Sequence, residues 1–260
     1  MAIAFQQKPG LVVYLTAGDP SLDATRAIAL EAIDAGADVI ELGVPFSDPL
    51  ADGPVIQRAS ERALARGTRL KDVLALAGEI HTARPAAGLV IFSYFNPILR
   101  YGLKRFADDA AVAGADGVLA IDVIVEEAGD YLAEMARVNL APVFLAAPTS
   151  PDERLQAIAA HSKGFVYAIS RTGITGKQQN LTADAEALVA RIRRWTGLPV
   201  AVGFGISNAE HVAQVAEFAD AAVVGSAIVE LIERSAPEEA PGAVARFIKG
   251  LRQPAAALAR

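Results

Sequence analysis

Three carboxyl side chains stand close together in residues 41–57, whose sequence is ELGVPFSDPLADGPVIQ. The apolar run around the first acid is typical of a β-strand, and side-chain alternation places Val39 and Glu41 on the same face. Asp48 and Asp52 follow in a segment rich in glycine and proline. We therefore expect one carboxyl at the end of a rigid strand and others on the loop above it, an arrangement that suits general acid–base chemistry.

Glu41 has two interpretations at this point. Burial among apolar residues would raise its pKa, and a carboxyl with a pKa near neutrality can both donate and accept a proton. The alternative is a structural acid that is satisfied by hydrogen bonds, since buried polar groups are usually paired. Asp52, on a loop, is expected to ionise more easily, so that the two acids would take different roles. We prefer the catalytic interpretation, and the structural one stays open.

Glycines after two later apolar runs indicate a site for an anion. Gly203 and Gly205 follow the seventh expected strand, and Gly225 and Ser226 follow the eighth. Glycine lets backbone N–H groups approach an anion, and the start of a helix adds its dipole. The pattern favours a phosphate monoester as the ligand, with plain tight turns as the alternative.

Polar and aromatic residues mark the ends of other expected strands. Tyr94 follows the third strand, Asp122 follows the fourth, and Tyr167 lies in the sixth. We interpret the two tyrosines as core aromatics and Asp122 as an acid that caps or binds backbone, because these roles are more frequent. Residues 170–176 are polar and contain glycine, which is typical of an active-site lid or of an ordinary loop.

Short apolar runs alternate with longer amphipathic ones along the chain. The expected strands are residues 11–16, 38–42, 88–93, 117–121, 142–146, 164–169, 199–203 and 221–225. The expected helices are residues 22–35, 102–113, 126–139, 152–160, 183–195, 208–218 and 227–233. Capping-box patterns place two helix starts at Ser150 and Ser207. Eight βα units predict an α/β fold, a (βα)8 TIM barrel in a single domain over residues 1–260, with an open doubly wound sheet as the alternative.

Composition and charge argue against several classes of function. The 260 residues carry a net charge of -6 and no basic cluster, which disfavours a nucleic-acid-binding protein. The chain has no cysteine and only three scattered histidines, so we expect neither disulfides nor a metal site. The first residues do not resemble a signal peptide, and no uncharged apolar run approaches membrane-spanning length. We expect a cytoplasmic protein.

The motif in residues 41–57 resembles the signature of the tryptophan synthase alpha subunit family. Further matching segments follow in the expected order over nearly the whole chain, at residues 14–20, 94–99, 167–176 and 203–206. The resemblance implies a barrel that cleaves indole-3-glycerol phosphate to indole and glyceraldehyde 3-phosphate by a retro-aldol reaction. It also implies an alpha subunit in an αββα complex with a beta subunit. Pyridoxal phosphate would belong to that partner, and no cofactor is expected in this chain.

The same resemblance assigns roles to individual residues. Glu41 matches the glutamate that moves protons at indole C3 and at the glycerol hydroxyl. Asp52 matches the aspartate that accepts from the indole N–H and stabilises the positive charge developing there. Thr175 matches a lid threonine that meets this aspartate on closure. The further substrate contacts that we expect, several of them to phosphate, are Tyr94, Tyr167, Gly176, Gly203, Phe204, Gly205, Gly225 and Ser226.

Some features depart from the family pattern. Only about ten residues precede the first expected strand. Val13 and Ile124 both stand where the family typically has proline, and Ile124 lies near the family's contact with the beta subunit.

The alternative functions are a free-standing lyase of the same family, a non-catalytic partner that regulates a beta subunit, and a phosphate-sugar isomerase on the same barrel. Glu41 and Asp52 argue against the regulatory partner, and the motif in residues 41–57 argues against the isomerase.

Overall fold

Strands and helices alternate in the computed structural model, which describes residues 3, 5–169, 181–203 and 205–253. The strands are β1 (Gly10–Thr16), β2 (Val39–Gly43), β3 (Gly88–Ser93), β4 (Gly117–Ala120), β5 (Ala141–Pro142), β6 (Leu145–Ala146), β7 (Val166–Ile169), β8 (Val200–Gly203) and β9 (Ala221–Val224). The helices are α1 (Leu22–Asp34), α2 (Pro54–Ala65), α3 (Leu70–Ala83), α4 (Phe95–Tyr101), α5 (Leu103–Val112), α6 (Gly129–Arg137), α7 (Asp152–His161), α8 (Leu181–Ile192), α9 (Ala209–Phe218), α10 (Ser226–Arg234) and α11 (Ala240–Leu251). A single domain over residues 1–260 stays a prediction, because some of these residues lie outside the described ranges.

The sheet closes on itself through residues 141–146. Neighbouring strands run in the order β5-β4-β3-β2-β1-β9-β8-β7-β6, and the pairs are parallel. The end strands β5 and β6 belong to one segment. The Val143 amide donates to the Val118 oxygen at 2.9 Å, and the Tyr167 amide donates to the Phe144 oxygen at 3.1 Å. Because one segment bonds to both edges, the strands form the expected (βα)8 barrel, and the open sheet is wrong.

Strand residues alternate between two apolar layers. The layer inside the barrel is formed by Ile3, Val12, Val39, Val90, Leu119, Phe165, Ala201 and Ala221, among others. The layer between the sheet and the helices includes Val13, Ile40, Leu42 and Ile91. Because side chains alternate along a strand, the residue two positions after Val39 also faces the barrel axis. Glu41 therefore points inward at the carboxyl end of β2, on the face that the sequence predicts.

Three helices in the described ranges, α2, α4 and α10, are additional to the eight that alternate with the barrel strands. Each lies between a strand and the helix that packs outside it. Neither α2, α3 nor α4 is among the expected helices, although Pro54 in the first turn of α2 favours a helix start. None of the helices in the described residues combines the length and apolar character that crossing a membrane requires.

Both expected capping residues are wrong by one position. The residue after Ser150 is the N-cap of α7, and the Ser150 hydroxyl accepts from the Ala147 amide at 3.1 Å. The residue after Ser207, Asn208, caps α9, and its side chain accepts from the His211 amide at 2.9 Å. Serine and asparagine both bind nearby backbone groups, so that the pattern alone does not decide between neighbouring positions.

Arg252, at the end of α11, closes the base of the barrel. Its guanidinium donates to the backbone oxygens of Pro9 at 2.7 Å and Gly36 at 2.6 Å, and to the Asp38 carboxylate at 2.6 Å. Asp38 also accepts from the Leu11 amide at 2.8 Å. The side chains of Arg252 and Asp38 are 15% and 5% exposed. These contacts tie the last helix to the amino ends of β1 and β2.

Arg252→Ala is expected to lower the free energy of unfolding by about 3–5 kcal/mol, because it leaves the Asp38 carboxylate buried without its cation. Urea unfolding monitored by circular dichroism measures the loss. The matched control is Arg154→Ala, which breaks an exposed ion pair with Glu126 and is expected to have a much smaller effect. Equal losses in the two variants would contradict the role of Arg252.

Candidate active site

Glu41 lies at the carboxyl end of β2, above the apolar layer inside the barrel. Its register neighbours are Tyr14 on β1 and Val90 on β3. The residue is 1% exposed, and its Oε1 has no hydrogen-bond partner in the part of the chain that the structure describes. Burial raises the pKa of Glu41 from 4.5 to about 8. The carboxyl is therefore largely protonated at neutral pH and can donate a proton.

Two tyrosines, Tyr14 and Tyr167, lie near the Glu41 carboxyl. Tyr14 packs edge-on against Phe92, with ring centroids 5.1 Å apart. Burial raises the pKa of both Tyr14 and Tyr167, and the charge of Glu41 adds to both shifts. Both phenols thus stay neutral, and the rings of Tyr14 and Phe92 form an aromatic wall that suits a flat, apolar ring.

Tyr14 belongs to the site, although the sequence analysis assigns it no role. Burial is the main cause of its raised pKa, followed by the charge of Asp52, with Glu41 contributing less. The phenol therefore lies near both acids. Its hydroxyl extends over β2, where a Cβ on Gly43 would collide with it. In the sequence, Tyr14 is indicated by the spacing of Glu41 and Gly43. These two residues lie on one face of the strand, where the glycine leaves room for a side chain beside the acid.

Asp52 is half-buried on the loop between β2 and α2. The Tyr94 hydroxyl accepts from the Ala51 amide at 2.8 Å and hydrogen-bonds to the Asp52 carboxylate. Burial raises the pKa of Asp52 from 3.8 to about 6, and the bond to Tyr94 partly offsets the rise. Asp52 is thus mostly ionised at neutral pH, whereas Glu41 is protonated. The two acids ionise in the order that the sequence predicts.

The Asp52 loop is held from two sides. The Gln57 side chain, in the first turn of α2, donates to the backbone oxygens of Asp52 at 2.8 Å and Pro49 at 3.4 Å. The ring of Phe46 packs on Tyr94, with centroids 5.0 Å apart. Tyr94 is buried, as expected for a core aromatic, but its hydroxyl is also part of the site.

The neighbouring strands β8 and β9 carry the glycines that the sequence assigns to an anion site. Gly203 ends β8, Gly225 is the N-cap of α10, and Ser226 is the first residue of that helix. Gly205 has a φ of +80°, which favours glycine. A Cβ on Gly203 would lie 2.8 Å from the Tyr167 hydroxyl. Gly225 lies against Tyr14, so α10 begins beside the aromatic wall, and a helix start can bind an anion through its N–H groups and dipole.

The remaining candidate residues are Asp122, which the structure describes, and three residues that it does not describe. Asp122 accepts from the Phe95 amide at 2.7 Å, which confirms its backbone-binding interpretation. Thr175, Gly176 and Phe204 lie outside the described residues, and their expected roles stay predictions. Within the described ranges, no group of three or more histidine, aspartate or glutamate side chains could hold a metal ion.

The arrangement combines a protonated carboxyl, an ionised carboxylate, an apolar surface and, beside them, the start of a helix. The family model described as "Tryptophan synthase alpha chain" matches residues 2–257. A protein of that name from Solibacter usitatus is 52% identical over 90% of this chain and 88% of its own length. Another of that name, from Geobacter sulfurreducens, is 48% identical over 95% of this chain and 93% of its own.

Solved structures agree with the sequence comparisons. The tryptophan synthase subunit alpha from Legionella pneumophila superposes with a TM-score of 0.86 at 36% identity, covering 95% of this chain and 92% of that one. A chain of the tryptophan synthase complex from Pyrococcus furiosus superposes with a TM-score of 0.85 at 36% identity, covering 94% and 98%. The chain therefore belongs to the tryptophan synthase alpha chain family.

Proposed function

We propose that this chain is a carbon–carbon lyase that cleaves indole-3-glycerol phosphate to indole and glyceraldehyde 3-phosphate, as the alpha subunit of tryptophan synthase in tryptophan biosynthesis. The observation that carries the proposal is the pair of unlike acids, because Glu41 has a pKa of about 8 and Asp52 a pKa of about 6. Between these values one acid holds a proton while the other holds a charge.

Glu41 acts first as an acid and then as a base. Its carboxyl gives a proton to C3 of the indole ring, which leaves a cation delocalised onto the ring nitrogen. The resulting carboxylate accepts the proton of the glycerol hydroxyl beside the scissile bond. The carbon–carbon bond breaks, its electron pair returns to the ring, and the hydroxyl carbon becomes the aldehyde of glyceraldehyde 3-phosphate. Glu41 ends the cycle protonated.

Asp52 accepts a hydrogen bond from the indole N–H and stabilises the positive charge of the ring. A carboxylate fixed before the reaction does this without reorganisation, and Tyr94 and Gln57 provide that fixation. The wall of Tyr14 and Phe92 would hold the indole ring between the two acids.

The phosphate binds at the start of α10. Ser226 supplies an amide and a hydroxyl, while Gly203, Gly205 and Gly225 let the backbone approach the dianion. Tyr167 lies against Gly203 and near Glu41. Anchoring the phosphate orients the scissile bond over the carboxyl.

The family resemblance supplies the remaining parts of the proposal. Thr175 meets Asp52 when a lid closes, while Gly176 contacts phosphate and Phe204 contacts the substrate. Because the steps need only carboxyl groups, amides and hydroxyls, the chain uses no cofactor or metal of its own, and pyridoxal phosphate belongs to the beta subunit. A cysteine-free chain also suits the reducing cytoplasm, where we place it.

A beta subunit is the proposed partner, in an αββα complex. Leu50, Leu99 and Ile124 are large apolar residues that are 95%, 53% and 46% exposed. They follow the carboxyl ends of the neighbouring strands β2, β3 and β4, so they share the end of the barrel that carries Asp52. Grouped apolar side chains of this kind typically mark an interaction surface.

Glu41→Gln is expected to lower kcat by about 10²–10⁴-fold, because an amide cannot transfer the proton. Indole release from indole-3-glycerol phosphate is measured for the purified chain alone and with an added beta subunit. Wild-type turnover in the variant would refute the acid–base role. A wild-type chain that releases no indole under either condition would refute the reaction, and full turnover without the partner would favour a free-standing lyase.

The same variant is expected to be more stable than the wild type at high pH. The pKa of Glu41 is higher in the folded state than in the unfolded state. The protonated carboxyl therefore contributes its full stability below pH 4.5, and this contribution is lost as the pH rises through about 8. At alkaline pH, Glu41→Gln is expected to raise the free energy of unfolding by on the order of several kcal/mol. Urea unfolding across this range tests it, with Glu31→Gln, an exposed acid on α1, as the control.

The pH profile of kcat/KM is expected to rise through about 6, where Asp52 ionises, and to fall through about 8, where Glu41 loses its proton. Asp52→Asn should lower the rate about 10²-fold. It should also remove the rise of the profile near pH 6, the lower limb, and keep the fall near pH 8, the upper limb. Asp48→Asn, an exposed acid on the same loop, is the control and should keep both limbs. A lower limb that persists in Asp52→Asn would assign it to another group.

Ser226→Asp is expected to weaken phosphate binding about tenfold or more, because a carboxylate at the helix start repels a dianion. The KM for the substrate and the inhibition constant of inorganic phosphate measure the effect. Ser235→Asp places the same charge at the other end of α10 and should leave both constants unchanged. Unchanged affinity in Ser226→Asp would rule out a phosphate at this position.

A further inference from the structure

Two additional helices, α2 and α10, pack against each other and against β1 at the carboxyl end of the barrel. Their apolar contact consists of Tyr14 from β1, Ala59 from α2 and Val229 from α10. Charged side chains make a second connection between the same elements. They form a cluster, here called the clamp, which consists of Asp19, Arg58, Arg62 and Glu233.

The buried end of the clamp is Asp19, which follows β1 and is 4% exposed. Arg62 Nε donates to one carboxylate oxygen at 2.8 Å, and Arg62 Nη2 donates to the other at 2.7 Å. Such a two-point bond fixes the orientation of the guanidinium as well as its distance. The pair therefore holds α2, which carries Arg62, against the end of β1.

The other end of the clamp is Glu233, in the last turn of α10. Arg62 Nη1 donates to its Oε1 at 2.7 Å. Arg58 donates through Nε to the same oxygen at 2.9 Å and through Nη2 to Oε2 at 2.7 Å. The bond from Arg58 and the charges of both arginines lower the pKa of Glu233 to about 2. Glu233 thus stays charged over the pH range in which Glu41 and Asp52 titrate.

The clamp connects the two ends of the proposed substrate site. On one side, α2 begins two residues after Asp52, and its Gln57 holds the backbone of the Asp52 loop. On the other side, α10 begins with Ser226 at the proposed phosphate position and carries Glu233 two turns later. Neither Asp52 nor Ser226 lies on a barrel strand, so strand register does not set the distance between them.

We propose that the clamp is a positioning device, with Arg62 at its centre, that sets the distance between the Asp52 carboxylate and the phosphate position. The inference rests on the proposed function. A substrate that must reach both ends at once is sensitive to this spacing, whereas a ligand that uses only the phosphate end is not. Misplacement by about 1 Å can lower a rate by about 10²-fold.

Glu233→Gln and Arg58→Gln test the inference, because both change partly exposed groups and leave the buried Asp19–Arg62 pair intact. The expected result is a fall in kcat/KM for indole-3-glycerol phosphate of about ten- to a hundredfold in Glu233→Gln, and a smaller fall in Arg58→Gln. The dissociation constant of glycerol 3-phosphate should stay within about twofold, and the pH limbs should not move. Asp34→Asn is the matched control, since it breaks the two-point Arg84–Asp34 pair at the far end of the barrel.

The possible results separate a positioning role from a structural one. Wild-type kcat/KM in Glu233→Gln would overturn the inference, as would a parallel loss in glycerol 3-phosphate affinity, which would place the effect at the helix start itself. A fall that Asp34→Asn reproduces, or that follows the melting temperature, would reduce the clamp to a stabilising contact. Absence of indole release by the wild type would overturn the proposed function, and the inference with it.

Discussion

Removal of the Glu41 carboxyl from water is the constraint on which the rest of the structure depends. In the barrel interior the charged form is disfavoured, so the proton stays on the carboxyl at neutral pH. Such a group opposes folding at high pH, and the protein offsets the cost with an apolar layer on each face of β2. Val39 packs inside the barrel, while Ile40 and Leu42 pack beneath the helices. The strand is rigid because most of its residues are apolar and buried.

Asp52 differs from Glu41 because it belongs to a loop. It is only half-buried, and a hydrogen bond from Tyr94 favours its charged form. Two carboxyls of nearly equal intrinsic acidity thereby acquire pKa values of about 8 and about 6. Tyr14, which lies near both acids, contributes a ring and a neutral hydroxyl and no further charge. The separation of the two values arises from environment, which lets one acid carry the proton and the other the charge.

The sequence predicts the barrel well, because each buried parallel strand is a short apolar run and alternation along β2 fixes the direction of Glu41. It does not predict α2, because the buried residues of that helix are the small Ala59, Ser60 and Ala63, which give only a weak apolar periodicity after Pro54. Nor does it predict the role of Tyr14, because the position of that side chain depends on the register of β1 with β2 and on the space that Gly43 leaves. Such relations exist between strands, and the local sequence shows only one part of them, the spacing of Glu41 and Gly43.

The two kinds of support in this site have different physical origins. Glu41 is positioned by the hydrogen bonds and side-chain layers of the closed sheet, which tolerate little displacement. Asp52 and Ser226 are positioned by α2 and α10, whose relation to each other depends on a small buried apolar cluster and on the ion pairs of the clamp. Changes in the barrel core should therefore alter stability before they alter the geometry of catalysis, whereas changes on the partly exposed side of the clamp, at Arg58 and Glu233, should alter geometry with little loss of stability. The chemistry of the site is thus fixed by the sheet, and its alignment with the substrate by the helices added to it.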